Sequence, residues 1–112
     1  MKRVAIFTFI MSGFLISASA EIDVLKTGKQ LARPCTWCHD TKRELIAPSF
    51  KEIADRYRDI PDARKILFNS IKEGSKGRWK KWFEKGMYMP PQKPYYSDKQ
   101  IDMIVEWILS LK

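Results

Sequence analysis

Both cysteines and the single histidine of this 112-residue sequence stand in one five-residue stretch, Cys35-Thr36-Trp37-Cys38-His39. Two thiols at this spacing can each add to one of the two vinyl groups of a porphyrin, and the imidazole that follows can then reach the iron. The C-x-x-C-H pattern therefore predicts one covalently attached haem c, bound through Cys35 and Cys38, with His39 as an axial ligand of the iron.

Other uses of a cysteine pair fit this sequence less well. A dithiol redox pair is typical of a βαβ pattern, whereas Pro34 precedes this pair and no β-rich run lies nearby. A zinc site would need four ligands, and no further cysteine or histidine remains to complete one. A disulfide between residues three apart would close too small a loop to add much stability.

A methionine is the candidate for the second axial position. Met89-Pro90-Pro91 presents a thioether on a backbone that two prolines stiffen. Iron held by histidine and methionine has a higher reduction potential than iron held by two imidazoles, and with both positions filled it carries electrons. Met87 is a rival ligand, but it follows Gly86 in a looser stretch, so the pattern favours Met89. The alternative role of Met89 is ordinary core packing.

The N-terminal segment has the pattern of a secretory signal peptide. Two basic residues precede an apolar stretch over residues 4–11, and the small residues at 18–20, Ala-Ser-Ala, are typical of a cleavage site. Cleavage would leave residues 21–112 as one periplasmic domain without stable membrane insertion. The alternative is an uncleaved anchor, although the apolar stretch is short and interrupted for a membrane span.

Helical spacing of apolar residues predicts an all-α fold of four helices, with no convincing strand. The predicted helices are a short one from near Ile22 to Pro34, one after the capping box Ser49-Phe50-Lys51-Glu52, one from Pro61 to a stop at Gly74, and one after the capping box Ser97-Asp98-Lys99-Gln100. The inner faces of the last three are predicted to carry Phe50, Ile53, Ala54 and Tyr57; Ala63, Ile66, Leu67, Ser70 and Ile71; and Ile101, Ile104, Val105, Ile108 and Leu111. The segment from Gly74 to Pro94 is predicted to be a loop.

In motif order the sequence resembles the small bacterial class I cytochromes c, which are soluble monohaem electron carriers. The likeness rests on C-T-W-C-H, I-A-P-S-F-K-E-I-A, the glycine and tryptophan of G-S-K-G-R-W, M-P-P and a last helix ending W-I-L-S-L-K, and it spans essentially all of residues 21–112. It implies the class I cytochrome c fold, about four helices around one covalently bound haem c. It also implies that Cys35 and Cys38 hold the haem and that His39 and Met89 are its axial ligands.

The same resemblance implies roles for residues around the haem. Pro48 matches the loop proline whose carbonyl accepts a hydrogen bond from the haem histidine, which fixes the ring's tautomer and raises its basicity. Trp79 corresponds to the tryptophan near a haem propionate, where an indole N–H can donate, and Trp82 is close by. Gly28 resembles the glycine at which the first and last helices cross, with Trp107 as a partner there, although its distance from Cys35 differs from the family spacing.

The charge of the chain suggests its partners. The sequence has 21 Lys and Arg against 13 Asp and Glu, a net charge of +8 at pH 7. Five of the basic residues cluster around the candidate methionine, and we name them the basic rim: Arg78, Lys80, Lys81, Lys85 and Lys93. Such a rim would steer acidic redox proteins, although an ordinary solvated face is the alternative. Nucleic acid is not expected as a partner of an exported chain.

These features predict a soluble, monomeric, periplasmic electron carrier that shuttles single electrons between respiratory redox partners. It is not expected to be an enzyme and has no predicted catalytic residues, because the haem iron itself carries the electron. One alternative is a haem enzyme or gas-binding protein with an open sixth iron position. Another is a dedicated subunit that passes electrons inside one complex.

Overall fold

Helices make up the regular structure of the computed structural model, which describes residues 6–112 and the side chains from residue 18 onward. The elements are α1 (Ile6–Leu31), a 3-10 helix (Arg33–Trp37), α2 (Phe50–Tyr57), α3 (Ala63–Glu73), α4 (Lys80–Glu84) and α5 (Asp98–Ser110). Extended pairing in the described residues is limited to one isolated bridge between Ser75 and Met89. The predicted all-α class is therefore confirmed, with five α-helices rather than four.

Helix α1 begins at Ile6, well before the predicted start near Ile22. It includes part of the predicted signal peptide, residues 1–20, of which residues 1–5 and all side chains before residue 18 lie outside the described part. The cleavage site thus stays a prediction. Ile22 is 67% exposed, whereas Ala32 just after the helix is buried in the core. In the part of the chain that the structure describes, no helix has the length and apolar character that a membrane span requires.

Both predicted capping boxes are present. The Ser49 hydroxyl accepts from the Glu52 amide at 3.1 Å, and the Glu52 carboxylate accepts from the Ser49 amide at 3.2 Å. At the start of α5, Ser97 and Gln100 exchange the same pair of hydrogen bonds, at 3.2 and 2.9 Å. Because these bonds satisfy amides that have no partner inside the helix, they fix where α2 and α5 begin.

Helix α3 begins two residues later than predicted. Asp62 is its N-cap, and Pro61 lies in the preceding turn, where the Ala63 amide donates to the Ile60 carbonyl at 3.1 Å. Gly74 ends the helix, as predicted, with a φ of 90°. The predicted inner faces of α2, α3 and α5 are buried apart from two half-buried residues, Ile66 and Leu111.

The prediction of a loop from Gly74 to Pro94 is wrong in part, because the segment contains α4 and one side of the isolated bridge. Helix α4 has only five residues and lacks a side-chain cap at its N-cap, Trp79. A helix this short is not stable from local propensity alone. Its position is set by the burial of Trp82, which is a tertiary contact and leaves no periodic pattern in the sequence.

Helix α5 packs against α1, α2 and α3 and holds the core together. Its contact with α1 is closest at Gly28, where an added Cβ would lie 2.1 Å from the Met103 carbonyl oxygen and 2.9 Å from the Trp107 Cβ. Gly28 therefore occupies the helix crossing that the family resemblance implied, opposite Trp107. A glycine is required there because backbone fills the space that a side chain would take.

We expect Gly28→Ala to reduce the free energy of unfolding of the holoprotein by about 2 kcal/mol or more, since overpacking a rigid contact forces the helices apart. Urea unfolding followed by circular dichroism measures the loss. The matched control is Lys29→Ala, an exposed neighbour on the same helix, which should change stability by about 0.5 kcal/mol or less. Equal losses of unfolding free energy in the two variants would show that α1 and α5 can move apart at Gly28 without a loss of stability.

Candidate functional site

A cavity of about 310 Å³ opens between the C-x-x-C-H turn and the segment that carries Met87 and Met89. Its size is within the range of small-molecule and cofactor pockets. The six residues that the sequence analysis assigned to haem attachment, iron ligation or the surroundings of the haem all line it: Cys35, Cys38, His39, Pro48, Trp79 and Met89. The fold thus brings together residues that are more than fifty positions apart in the chain.

The two thiols are presented by a tight turn at the end of the 3-10 helix. The amides of Cys38 and His39 both donate to the Cys35 carbonyl, at 3.1 and 2.9 Å, so the turn places all three side chains along one wall of the cavity. Both cysteines are free and half-buried. Burial raises the pKa of Cys35, with a smaller contribution of the same sign from nearby Cys38. Two reduced thiols facing one cavity are what double thioether attachment requires.

The His39 ring is held in one tautomer. Its Nδ1 lies 2.7 Å from the Pro48 carbonyl oxygen, and because a carbonyl only accepts, Nδ1 carries the proton. In the neutral ring this leaves a free lone pair on Nε2, the nitrogen that can bind a metal. Burial lowers the pKa of His39, and the hydrogen bond to Pro48 partly opposes that effect. The site therefore favours the neutral imidazole, which is the ligand form.

Aromatic packing fixes the plane of the same ring. Phe50 stacks on His39 with ring centroids 5.1 Å apart and planes inclined by 24°. Phe50 in turn meets Trp107 edge-on at 5.0 Å. The imidazole is thereby connected, through two aromatic contacts, to the crossing of α1 and α5 at Gly28.

The backbone amide and the backbone carbonyl of Met89 are both hydrogen-bonded. Its amide donates to the Ser75 carbonyl and its carbonyl accepts from the Ser75 amide, each at 2.9 Å. Three residues later the Gln92 amide donates at 2.9 Å to the carbonyl of Ile71, near the end of α3, where the last carbonyls have no partner inside the helix. The Met89 segment is thus attached to the C-terminal end of α3, and its side chain packs against the core.

Met87, the alternative candidate, also lines the cavity. Its amide donates to the Trp82 carbonyl at 2.9 Å, and it follows Gly86, whose φ is 73° and whose Cβ position is open space. The two methionines therefore share the cavity but differ in how firmly their backbones are held.

Trp79 lies at the cavity wall, and it is held by a residue that the sequence did not single out. The Arg56 guanidinium is 4.3 Å from the centroid of the Trp79 ring, and its Nη2 donates to the Arg78 carbonyl at 2.8 Å. Arg56 is on the exposed side of α2. No local pattern distinguishes it from other surface arginines, because the contact spans 22 residues of sequence.

The lining of the cavity fits a covalently bound haem. It offers two free thiols, a neutral imidazole with an available nitrogen, two thioethers and mainly apolar walls. It also includes Trp82, whose buried Nε1 has no hydrogen-bond partner among the described residues. A porphyrin presents vinyl groups, an iron, a large apolar surface and carboxylate side chains, so each of these features has a matching group.

Comparison with known proteins decides the family. The family model described as Cytochrome c matches residues 25–112. The chain belongs to the cytochrome c family. It is 32% identical to cytochrome c-552 of Nitrosomonas europaea over 114 residues, which covers 100% of both chains. It is 35% identical to cytochrome c-551 of Pseudomonas denitrificans over 88 residues, covering 77% of this chain and 99% of that protein.

Solved structures agree with this assignment. The crystal structure of wild-type Nitrosomonas europaea cytochrome c552 is 35% identical, has a TM-score of 0.65, and covers 75% of this chain and 99% of its own. The class 1 cytochrome MtoD from Sideroxydans lithotrophicus ES-1 is 31% identical, with a TM-score of 0.61 and coverage of 76% and 92%. The predicted class I cytochrome c fold is therefore confirmed.

Membership of the cytochrome c family also settles the cofactor. Proteins of this family bind haem c covalently through a cysteine pair and act as electron carriers, and Cys35 and Cys38 are the two cysteines of this chain. The predicted covalent haem c is thus confirmed.

The attachment of the Met89 segment depends on Gly74. An added Cβ there would lie 2.9 Å from the Met89 carbonyl oxygen, whereas at Gly77 the nearest atom would be 3.9 Å away, and both glycines have positive φ. We expect Gly74→Ala to cost about 1 kcal/mol or more beyond Gly77→Ala in urea unfolding, because both share the backbone penalty but only Gly74 adds a steric conflict. Hydrogen exchange at the Ser75 and Met89 amides should accelerate in Gly74→Ala alone. Equal protection of these amides in both variants would show that the pairing of Ser75 with Met89 does not depend on a glycine at position 74.

Proposed function

We propose that the chain is a soluble periplasmic electron carrier that shuttles single electrons between respiratory redox partners through haem c ligated by His39 and Met89. The observation that supports this most is that one cavity contains the fixed, neutral imidazole of His39 and a thioether with a fixed backbone at Met89. Two protein ligands leave no iron position for a substrate, which favours electron transfer over catalysis or gas binding.

Met89 is the better second ligand because its residue is already ordered and loses less conformational entropy when it binds the iron. Two backbone hydrogen bonds to Ser75 and the two following prolines restrict it, whereas Met87 has one such bond and follows an unrestricted glycine. A ligand that is already ordered loses little conformational entropy on binding iron. Met87 has the looser backbone and is expected to serve as packing at the cavity wall.

Around the cofactor the protein contributes an oriented imidazole, a thioether and apolar walls. Bound haem supplies the one-electron couple of its iron. His39 donates from Nδ1 to Pro48, which keeps Nε2 directed and basic. The thioether of Met89 favours the reduced state, and the apolar residues of the cavity exclude water from the ligands, so that little needs to reorganise when the charge changes.

The reduced wild-type protein should not bind carbon monoxide at neutral pH, and its ferric form should show a sulfur-to-iron charge-transfer band. We expect Met89→Ala to lose that band, to bind carbon monoxide and to have a lower reduction potential, because removal of the thioether opens the iron and removes its preference for the ferrous state. Absorption spectroscopy and redox titration measure these changes.

The matched control is Met87→Ala, two residues away in the same cavity, which should keep the band and exclude carbon monoxide. The reverse pattern would assign the ligand to Met87. Prompt carbon monoxide binding by the wild type would contradict the carrier function and favour an open-site haem protein.

The basic rim is partly neutralised in the fold. Lys81 pairs with Glu44, Lys93 lies 2.8 Å from Glu73, and Lys80 lies 3.9 Å from Glu84. Within the described residues Arg78 and Lys85 form no ion pair. The effective positive charge near the cavity is therefore concentrated on these two residues rather than spread over all five.

Exposed aromatic side chains accompany this charge near the cavity. Trp37, between the two cysteines, is 86% exposed, and Tyr88, between the two methionines, is 65% exposed. Apolar contact with flanking charge suits short-lived docking of an acidic redox protein. This supports acidic partners for a monomeric carrier, and cleavage after residue 20 would deliver it to the periplasm.

We expect oxidation of the reduced protein by anionic hexacyanoferrate(III) to slow as ionic strength rises, since salt screens attraction to the basic rim. At low salt Lys85→Gln should slow it about twofold or more. Lys65→Gln makes the same change in net charge on α3, outside the basic rim, and should have a smaller effect. Stopped-flow absorbance measures both rates, and equal slowing would attribute the attraction to net charge alone.

A further inference from the structure

Trp82 carries a buried polar group that the fold leaves unpaired. The residue is 7% exposed, and its Nε1 is the one buried side-chain nitrogen or oxygen of the described residues that has no hydrogen-bond partner. Buried indole N–H groups normally find an acceptor, because losing water without replacement is costly. Trp82 lines the haem cavity, so the missing acceptor is expected to belong to the group that occupies the cavity.

The backbone that carries the indole is held by α4 and by the segment that follows it. The Trp82 amide donates to the Trp79 carbonyl at 3.1 Å, and the Trp82 carbonyl accepts from the Met87 amide at 2.9 Å. The adjacent Lys81 pairs with Glu44, which connects α4 to the loop that follows the C-x-x-C-H turn. These contacts fix the backbone of residue 82, and the ring itself is kept in place by burial, since turning it to solvent would expose the apolar surface of a residue that is only 7% exposed.

The surroundings of the ring favour an anionic acceptor. The ammonium groups of Lys81 and Lys85 lie 5.2 and 5.1 Å from the centroid of the Trp82 ring, and Arg78 lines the same cavity. The carboxylate of Glu44, paired with Lys81, offsets part of this charge. A cation over an aromatic face draws electron density from the ring, which makes the N–H a stronger donor.

We propose that Trp82 donates a hydrogen bond from Nε1 to a propionate carboxylate of the bound haem. The carboxylates are the anionic acceptors that haem offers, and they match both the unpaired donor and the positive surroundings. This contact is additional to the one that the family resemblance implies for Trp79. It rests on haem attachment alone and not on which methionine binds the iron, so Trp82 acts as a residue that positions the cofactor and partly neutralises its charge.

Trp82→Phe tests the proposal, because phenylalanine keeps an aromatic ring and removes the N–H. We expect the propionate bending band in the resonance Raman spectrum to shift. We also expect a lower reduction potential, since a carboxylate that loses a donor stabilises the ferric iron more. The sulfur-to-iron band should persist, which separates this result from any failure of the Met89 assignment. The matched control is Phe83→Leu, the half-exposed neighbour on α4, which should change neither quantity.

A crystal structure of the wild-type holoprotein gives a second test that does not depend on any variant folding. Trp82 Nε1 should lie within about 3.2 Å of a propionate oxygen. An unchanged Raman band and potential in Trp82→Phe would overturn the proposal, as would an Nε1 that donates to a protein carbonyl or to water in the holoprotein.

Discussion

The hydrogen bond from His39 Nδ1 to the Pro48 carbonyl is the contact around which the haem cavity is organised. It fixes the tautomer of the imidazole and so leaves the lone pair of Nε2 free to bind a metal. Pro48 is held because it immediately precedes the Ser49 capping box of α2, and the ring is held because it stacks on Phe50 from the same helix. One helix start therefore positions both the acceptor and the stacking partner of the histidine.

The two sides of the cavity are built by different kinds of interaction. On the histidine side, a short turn and a capped helix position the imidazole of His39 through contacts within about ten residues of sequence. On the methionine side, Met89 depends on pairing with Ser75 and on the attachment of its segment to the end of α3. The second arrangement needs a positive φ at Gly74 and the carbonyl of Ile71 near the end of α3 as an acceptor. This difference makes the methionine side the part whose geometry depends most on the rest of the fold.

Helix α4 contributes residues to the cavity and not to the hydrophobic core cluster. It contributes the unpaired indole of Trp82 and the lysines beside it, and the Lys81–Glu44 ion pair connects it to the histidine side. Ion pairs at the surface contribute little stability, so the pairing matters more for where the positive charge remains. After pairing, Arg78 and Lys85 are the charges left to attract an anionic partner or a carboxylate.

Local sequence patterns were enough to predict the covalent haem, the all-α class, the two capped helices and the candidate residues Cys35, Cys38, His39 and Met89, because thioether chemistry and helix capping depend on residues close in sequence. Tertiary structure decided the start of α3, the existence of α4 and the bridge between Ser75 and Met89. It also showed that Gly28 lies at the helix crossing despite its unusual distance from Cys35, and that Arg56 supports Trp79. These features rest on burial and on backbone contacts between distant residues, which leave no periodic or local pattern to read.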